Sequence, residues 1–112
     1  MKRYGSVIGL YKHRIKEYVE LHANVWPSVA NMIHECNIRN YSIYLRKLPD
    51  GNVYLFSYFE YIGSDIEDDL EKMRCDPETQ RWWSLCKPLQ SKLPGVTDEA
   101  WWAGMEEVFH QD

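Results

Sequence analysis

A period of two in the residue pattern along two stretches of the chain predicts β-strands. The first strand is Tyr4–Tyr11 and the second is Ile38–Leu48. The turn sequence Pro49–Asn52 separates the second strand from a third at Val53–Tyr61, so these two strands are predicted to form a β-hairpin. The third strand is apolar or aromatic on both faces, and both faces should therefore be covered.

Other segments repeat apolar residues every three or four positions, which predicts amphipathic helices. The first helix covers His13–Ala23. Pro27 begins a second helix, because proline suits the first helical position and breaks a helix interior. Ser64, with Glu67 three residues later, has the pattern of a capping box for a third helix. A fourth helix is predicted over Asp76–Cys86, with a proline directly after the aspartate.

A last strand at Met105–His110 completes the order β-α-β-β-α-β with both helices broken, which is the ferredoxin-like pattern of an α+β fold. The 112 residues suit a single domain spanning 1–112. Gly5 and Gly9 leave one side of the first strand open to a ligand or another backbone. Because helices cover only one sheet face in this fold, we expect a homodimer whose aromatic sheet faces pack into a shared α/β barrel.

Charge and hydropathy narrow the choice of partners. The formal net charge is −4, and the acidic residues concentrate at 65–71, where they would repel phosphate. Nucleic acid is therefore not an expected partner. No apolar run approaches the roughly 20 residues that span a bilayer. Residues 1–3 lead directly into a strand rather than into a signal peptide, so we expect a cytoplasmic protein without a membrane partner.

The sequence also lacks the signatures of metal and cofactor sites. Three cysteines at wide spacing, Cys36, Cys75 and Cys86, predict neither a disulfide framework nor a zinc site, and we expect them to be buried thiols. There is no glycine-rich phosphate loop, nucleophile elbow or dinucleotide fingerprint. The expected chemistry therefore uses no metal and no cofactor.

Candidate chemistry lies on the first helix, where Tyr18, His22 and Trp26 recur at steps of four residues. Residues at this spacing share a helix face. His22 is the best catalytic candidate, because imidazole can donate and accept a proton within one turnover near neutral pH. Packing against Trp26 is an equally good interpretation of His22. Tyr18 and Tyr41 could each bind a substrate hydroxyl, or simply fill the core.

Two pairs of adjacent tryptophans are more informative. Neighbouring residues on a helix point about 100° apart, so Trp82 and Trp83 cannot both lie on one narrow apolar stripe. One should belong to the core and the other should cover a ligand or a partner subunit. An indole can stack on the C–H face of a sugar ring. Trp101 and Trp102 lie beside a loop containing proline and glycine, and we interpret them as a lid or interface element.

Several short motifs, in this order and spacing, resemble the L-rhamnose mutarotase family along nearly the whole chain. They are Glu17-Tyr18, His22, Trp26-Pro27, Asn40-Tyr41 with Ile43-Tyr44-Leu45, Gln80-Arg81-Trp82-Trp83, and Glu107-Val108-Phe109. The resemblance implies a dimeric α/β barrel that interconverts the α and β anomers of L-rhamnose without cofactor or metal. It also implies that His22 is the proton donor and that the sugar-binding residues are Tyr18, Tyr41, Trp82 and Trp83.

The chain departs from the bacterial family members in two places, at residues 23–25 and in a longer loop around Leu93–Trp102. Both lie at the expected pocket rim, so L-fucose or another 6-deoxyhexose could replace L-rhamnose. Two other classes of function stay open. Dimeric ferredoxin-like barrels include cofactor-free monooxygenases and haem-degrading enzymes. A non-catalytic sugar-binding module would keep the aromatic walls and tolerate the loss of His22.

Overall fold

Five antiparallel strands and four α-helices make up the fold in a computed structural model that describes residues 1–112. The strands are β1 (Lys2–Leu10), β2 (Ile38–Lys47), β3 (Val53–Tyr61), β4 (Gln90–Ser91) and β5 (Ala103–Met105). The helices are α1 (Ile15–Ala23), α2 (Pro27–Glu35), α3 (Ile66–Arg74) and α4 (Pro77–Cys86). The chain is thus an α+β protein whose helices come in two consecutive pairs.

The strands lie in the order β2-β3-β1-β4, and β5 also pairs with β1. The predicted hairpin is confirmed, because β2 and β3 pair from Ile38 opposite Tyr61 to Lys47 opposite Val53. Strand β3 also pairs with β1 over its whole length. The central position of β3 and β1 explains why β3 needed apolar residues on both faces.

The two faces of the sheet differ in burial. Val53, Leu55 and Tyr61 point to the helix side and are at most 4% exposed. Residues of β3 at the alternate positions, 54, 56 and 58, point to the other side and are only half-buried. Tyr44, paired with Phe56 on that second face, is 66% exposed. The sheet therefore presents an aromatic outer face to solvent in the single chain.

Helix starts follow the expected chemistry with one correction. Pro27 and Pro77 each occupy the first position of a helix, as predicted. The predicted capping box at Ser64 is wrong, because the next residue, Asp65, caps α3. Its carboxylate accepts a hydrogen bond from the backbone N–H of Asp68 at 3.2 Å. An aspartate carries the charge that favours the positive end of the helix, which explains its preference over serine here.

The prediction of a last strand over Met105–His110 is also wrong. Strand β5 ends at Met105, opposite Gly5, and residues 106–112 have no regular structure. A side-chain contact between Arg3 and Glu107 at 3.0 Å replaces backbone pairing there. The apolar side chains of this tail are uncovered in the single chain, since Val108 and Phe109 are 89% and 77% exposed.

One edge of β1 is shared by two short strands. Gly9 and Leu10 pair with β4, whereas Gly5, Ser6 and Val7 pair with β5, so residues 92–102 form a loop between the two strands. A Cβ atom at Gly9 would lie 2.7 Å from the carbonyl oxygen of Ser91. This glycine therefore permits the close approach of another backbone, one of the two uses expected from the sequence.

The cysteines are free thiols, and Cys36 and Cys86 are buried as expected. Cys75 is exposed, which corrects the expectation for that residue. It lies at the C-terminal end of α3, where its thiol contacts the Glu71 carboxylate at 3.5 Å instead of entering the core. None of the helices is both long and apolar enough to cross a membrane.

Candidate functional site

Helix α1 places Tyr18 and His22 one turn apart on the same face. Their rings stack with centroids 4.0 Å apart and planes inclined by 24°. The Nδ1 atom of His22 lies 2.9 Å from the backbone carbonyl oxygen of Tyr18. Because a carbonyl oxygen can only accept, Nδ1 carries the proton, and Nε2 of the neutral ring is then a proton acceptor. One contact thus defines both the orientation and the tautomer of the imidazole.

Helix α4 brings Trp82 to the same place from a distant part of the sequence. The helix starts at the capping residue Asp76, whose carboxylate accepts from the backbone N–H of Thr79 at 2.9 Å. The Trp82 ring is 5% exposed and meets the His22 ring edge-on, with centroids 5.3 Å apart. Trp26 meets the same indole at 5.3 Å. We call the group of Tyr18, His22 and Trp82 the imidazole cluster.

Trp83 points away from this cluster, as the helical step requires. It is partly buried and packs against two core clusters, one containing Cys36 and the other containing Val29. The ammonium group of Lys87 lies 5.7 Å from the centroid of the Trp83 ring. The structure therefore confirms that one of the two adjacent indoles belongs to the core, and it identifies that indole as Trp82.

A β-bulge sets the position of Tyr41. The pairing of β2 with β3 shifts between Arg39 and Ser42, where Asn40 adopts a φ of 51°. Asparagine tolerates this left-handed conformation better than most residues. The Tyr41 ring packs against Phe59 with centroids 5.6 Å apart. The residue is 42% exposed, yet burial around its hydroxyl raises the pKa of Tyr41 to about 12.

Burial dominates the electrostatics of the site. It lowers the pKa of His22 below 6.5, opposed only in part by the hydrogen bond to the Tyr18 carbonyl, so the imidazole is neutral at neutral pH. Burial also raises the pKa of Tyr18, and the charge that an ionised Tyr41 would carry raises it further. Both phenols are therefore neutral hydrogen-bond donors. Burial raises the pKa of the Cys86 thiol to about 12 as well.

Gln90, which was not among the predicted site residues, reaches the site from β4. Its side chain is buried, and its amide nitrogen lies 3.5 Å from the Tyr18 hydroxyl oxygen. Its amide oxygen accepts a hydrogen bond from the Trp101 indole N–H at 2.7 Å. A single glutamine in a segment with proline and glycine shows no periodic pattern, so the sequence carried no signal for this residue.

The five predicted site residues thus fall into two groups. Tyr18, His22 and Trp82 are in direct ring contact, whereas the described ring contacts of Tyr41 and Trp83 are with Phe59 and Lys87. Two surface cavities, of 280 and 370 Å³, lie near residues 9–12 and near residues 61–66, and none of the five lines either one. No three His, Cys, Asp or Glu side chains are grouped so as to hold a metal ion.

Comparison with known proteins gives a consistent result. A family model described as L-rhamnose mutarotase matches residues 3–111. Proteins named L-rhamnose mutarotase from Oceanobacillus iheyensis and Bacillus subtilis are 30% and 31% identical to this chain, with 100% of both chains covered in each case. A crystal structure of an L-rhamnose mutarotase from Formosa agariphila has the same fold, with a TM-score of 0.75, 19% identity and 100% coverage of both chains.

Proposed function

Because the chain belongs to the L-rhamnose mutarotase family, we propose that it is an isomerase that interconverts the α and β anomers of L-rhamnose. A related 6-deoxyhexose such as L-fucose is the alternative substrate, given the changes near the expected pocket rim. The observation that best supports a catalytic role is the imidazole cluster. It combines an oriented, neutral histidine with a neutral phenol and an indole wall.

His22 is the proposed proton-transfer residue. Anomer exchange requires that a proton leave the anomeric hydroxyl while another reaches the ring oxygen; the ring opens to the aldehyde, the C1–C2 bond rotates, and closure reverses the transfers. The lowered pKa favours neutral His22, which accepts the anomeric proton at Nε2 while solvent water donates a proton to the ring oxygen. On closure, His22 returns its proton to the aldehyde oxygen and water takes the proton back from the ring-closing hydroxyl. His22 then acts first as a base and second as an acid. This order is the reverse of the one expected if His22 is the proton donor, as the family resemblance implies.

The neutral phenols and the indoles are proposed to hold the sugar. Tyr18 and Tyr41 keep their protons at neutral pH, so each can donate a hydrogen bond to a sugar oxygen. Trp83 has exposed ring surface that could cover the apolar face of the pyranose, whereas buried Trp82 forms the wall beside His22. General acid-base catalysis contributes about 10²- to 10⁴-fold. This is sufficient for a reaction that also proceeds unaided in water.

We further propose that the active protein is a homodimer, with two ferredoxin-like subunits forming one α/β barrel. The aromatic outer sheet face supports this proposal, since Tyr44 is 66% exposed and lies beside the half-buried rings of Phe56 and its neighbours on β3. Contiguous exposed apolar patches commonly mark interfaces between subunits. A second sheet packed on this face would cover it.

The test is to measure anomer exchange at equilibrium by saturation-transfer NMR. L-Rhamnose, L-fucose and D-glucose are each compared with and without protein. We expect acceleration with L-rhamnose, and we expect His22→Ala to remove it while sugar binding persists. His34→Ala is the matched control, because His34 is an exposed helix histidine outside the site. Exchange at the wild-type rate in His22→Ala would exclude the mechanism, and no acceleration by the wild-type protein would exclude the function.

A further inference from the structure

Gln90 is a polar side chain in an apolar part of the core. It is 6% exposed, follows the buried Leu89, and pairs in the sheet with the buried Leu10. Burying an amide in such surroundings is unfavourable unless its polar atoms are hydrogen-bonded. The partners of this amide therefore indicate what it does.

Trp101 fixes the orientation of the Gln90 amide. The indole N–H can only donate, so the atom that it contacts at 2.7 Å must be the amide oxygen. The amide nitrogen is consequently turned toward the Tyr18 hydroxyl, 3.5 Å away, and it contacts no other acceptor. Since this nitrogen can only donate, the Tyr18 oxygen accepts, and the proton of the Tyr18 hydroxyl is left for another partner.

The loop holds Trp101 in an unusual backbone conformation to make this contact. Its φ is 63°, in the left-handed region that a tryptophan rarely adopts. Its backbone N–H donates to the carbonyl of Thr97 at 2.9 Å, and the Lys87 ammonium group lies 5.4 Å from its ring centroid. Strained residues persist only where several contacts hold them, and they concentrate at functional sites.

We propose that Gln90, held by Trp101, is a positioning residue that directs the Tyr18 hydroxyl proton toward the sugar. The contacts form a single series of donors, from the Trp101 indole to Gln90, from Gln90 to Tyr18, and from Tyr18 to a sugar oxygen. Each hydrogen bond in such a series polarises the next one. The loop at residues 92–102 thereby influences sugar affinity through buried contacts and without touching the sugar. This inference rests on the proposed function, in which Tyr18 binds the sugar.

The experiment uses the full chain and measures the KM and kcat of anomer exchange with L-rhamnose. Gln90→Met keeps the side-chain length and removes the amide oxygen and nitrogen. KM should therefore rise by about 2- to 12-fold, the range that corresponds to one neutral hydrogen bond, with little change in kcat. Trp101→Phe removes the indole N–H together with one ring of the indole, and it should also raise KM. Trp102→Phe is the matched control, because the Trp102 indole makes no hydrogen bond with the protein, and KM should stay unchanged.

Two further measurements separate positioning from a structural role. In the Tyr18→Phe background, Gln90→Met should have no additional effect on KM, because the hydroxyl that it orients is gone. The Trp101 indole N–H signal in a ¹H–¹⁵N spectrum, assigned by its loss in Trp101→Phe, should shift in Gln90→Met. If Gln90→Met shifts the Trp101 signal but leaves KM unchanged, the positioning role of Gln90 is overturned while the proposed function stands. A wild-type protein without any exchange activity overturns the proposed function, and this inference with it.

Discussion

His22 donates a hydrogen bond from Nδ1 to the backbone carbonyl of Tyr18, 2.9 Å away, while the two rings stack on each other. The orientation of the imidazole therefore depends on the backbone of Tyr18 and on its ring, and not on its hydroxyl group. The proposed proton transfer by His22 and the proposed sugar binding by the Tyr18 hydroxyl can accordingly be separated by mutation.

Tyr18→Phe is expected to weaken sugar binding without disabling His22. The variant keeps the carbonyl and the ring that orient the imidazole, and it loses one neutral hydrogen-bond donor. KM should rise by about 2- to 12-fold, with kcat much less affected. Saturation-transfer measurements over a range of L-rhamnose concentrations give both constants. A fall in kcat as large as that of His22→Ala would instead place the hydroxyl in the proton-transfer step.

The pH dependence should report neutral His22 as the active form. Burial lowers its pKa below 6.5, so the accelerated exchange should be constant above that value and should decrease as the pH falls through the lowered pKa. Rates are compared with those of His22→Ala at each pH, which removes the contribution of spontaneous exchange. A rate that increases as the pH falls would mean that the protonated ring starts the reaction.

The same shift affects stability, because the folded chain binds a proton at His22 less readily than the unfolded chain. The favourable contribution of neutral His22 to the free energy of unfolding is complete above 6.5, the ordinary pKa of histidine, and it is lost as the pH falls toward the lowered pKa. Urea unfolding of the wild-type protein and His22→Ala at matched pH values would show this difference.

Trp82 and Trp83 should respond differently to the same truncation. Trp82 is 5% exposed, and replacing a buried tryptophan by alanine lowers the free energy of unfolding by about 3–5 kcal/mol. Trp83 is partly exposed, so Trp83→Ala should destabilise the fold less and raise KM more. Urea unfolding followed by circular dichroism, together with the exchange kinetics, tests both effects. Equal losses of stability would remove the distinction between a core indole and a sugar-facing indole.

Tyr44→Lys should convert the proposed dimer into a monomer. The residue is 66% exposed in the single chain, so lysine fits the monomer but would bring an unpaired charge into an interface on the outer sheet face. Light scattering after size-exclusion chromatography gives the molar mass. Leu85→Lys is the control, because Leu85 is 45% exposed on helix α4 rather than on this sheet face. A monomeric wild-type protein would contradict the proposed dimer.

Gly9→Ala should destabilise the fold, because its new Cβ would lie 2.7 Å from the carbonyl oxygen of Ser91 and would force β4 away from β1. Such overpacking typically lowers the free energy of unfolding by about 1–3 kcal/mol. Gly104→Ala is the matched control on β5, since a Cβ there meets nothing within 4 Å. Thermal unfolding of the two variants measures the difference. Similar melting temperatures would show that β4 tolerates displacement.

The strands and helices with a strong local signal were predictable, and the parts that depend on tertiary contacts were not. The β2–β3 hairpin has both alternation and a turn sequence, and it formed as predicted. The failed strand at Met105–His110 had neither regular alternation nor a turn sequence, and pairing with β1 ended where that segment begins. Ser64 and Asp65 are both good caps, so the capping pattern alone did not distinguish them, and the charge of Asp65 favours it at the helix start.

The same distinction applies to the site. Tyr18 and His22 share a helix face because of their spacing alone, so their contact was predictable. The contact of Trp82 with His22 depends on where the fold places α4 relative to α1, and the resemblance to a family, rather than the residue pattern, linked the two. Gln90 became visible only after the fold placed it beside Tyr18.

Strands β4 and β5 each pair with their own part of one edge of β1. The pairing of both strands is therefore independent of the length of the segment that connects them. Residues 92–100 could therefore change in length without altering the register of either flanking strand, whereas Trp101 and Trp102 pack against the core. Grafting segments of other lengths between the two strands would thus show whether this loop contributes to the proposed sugar preference.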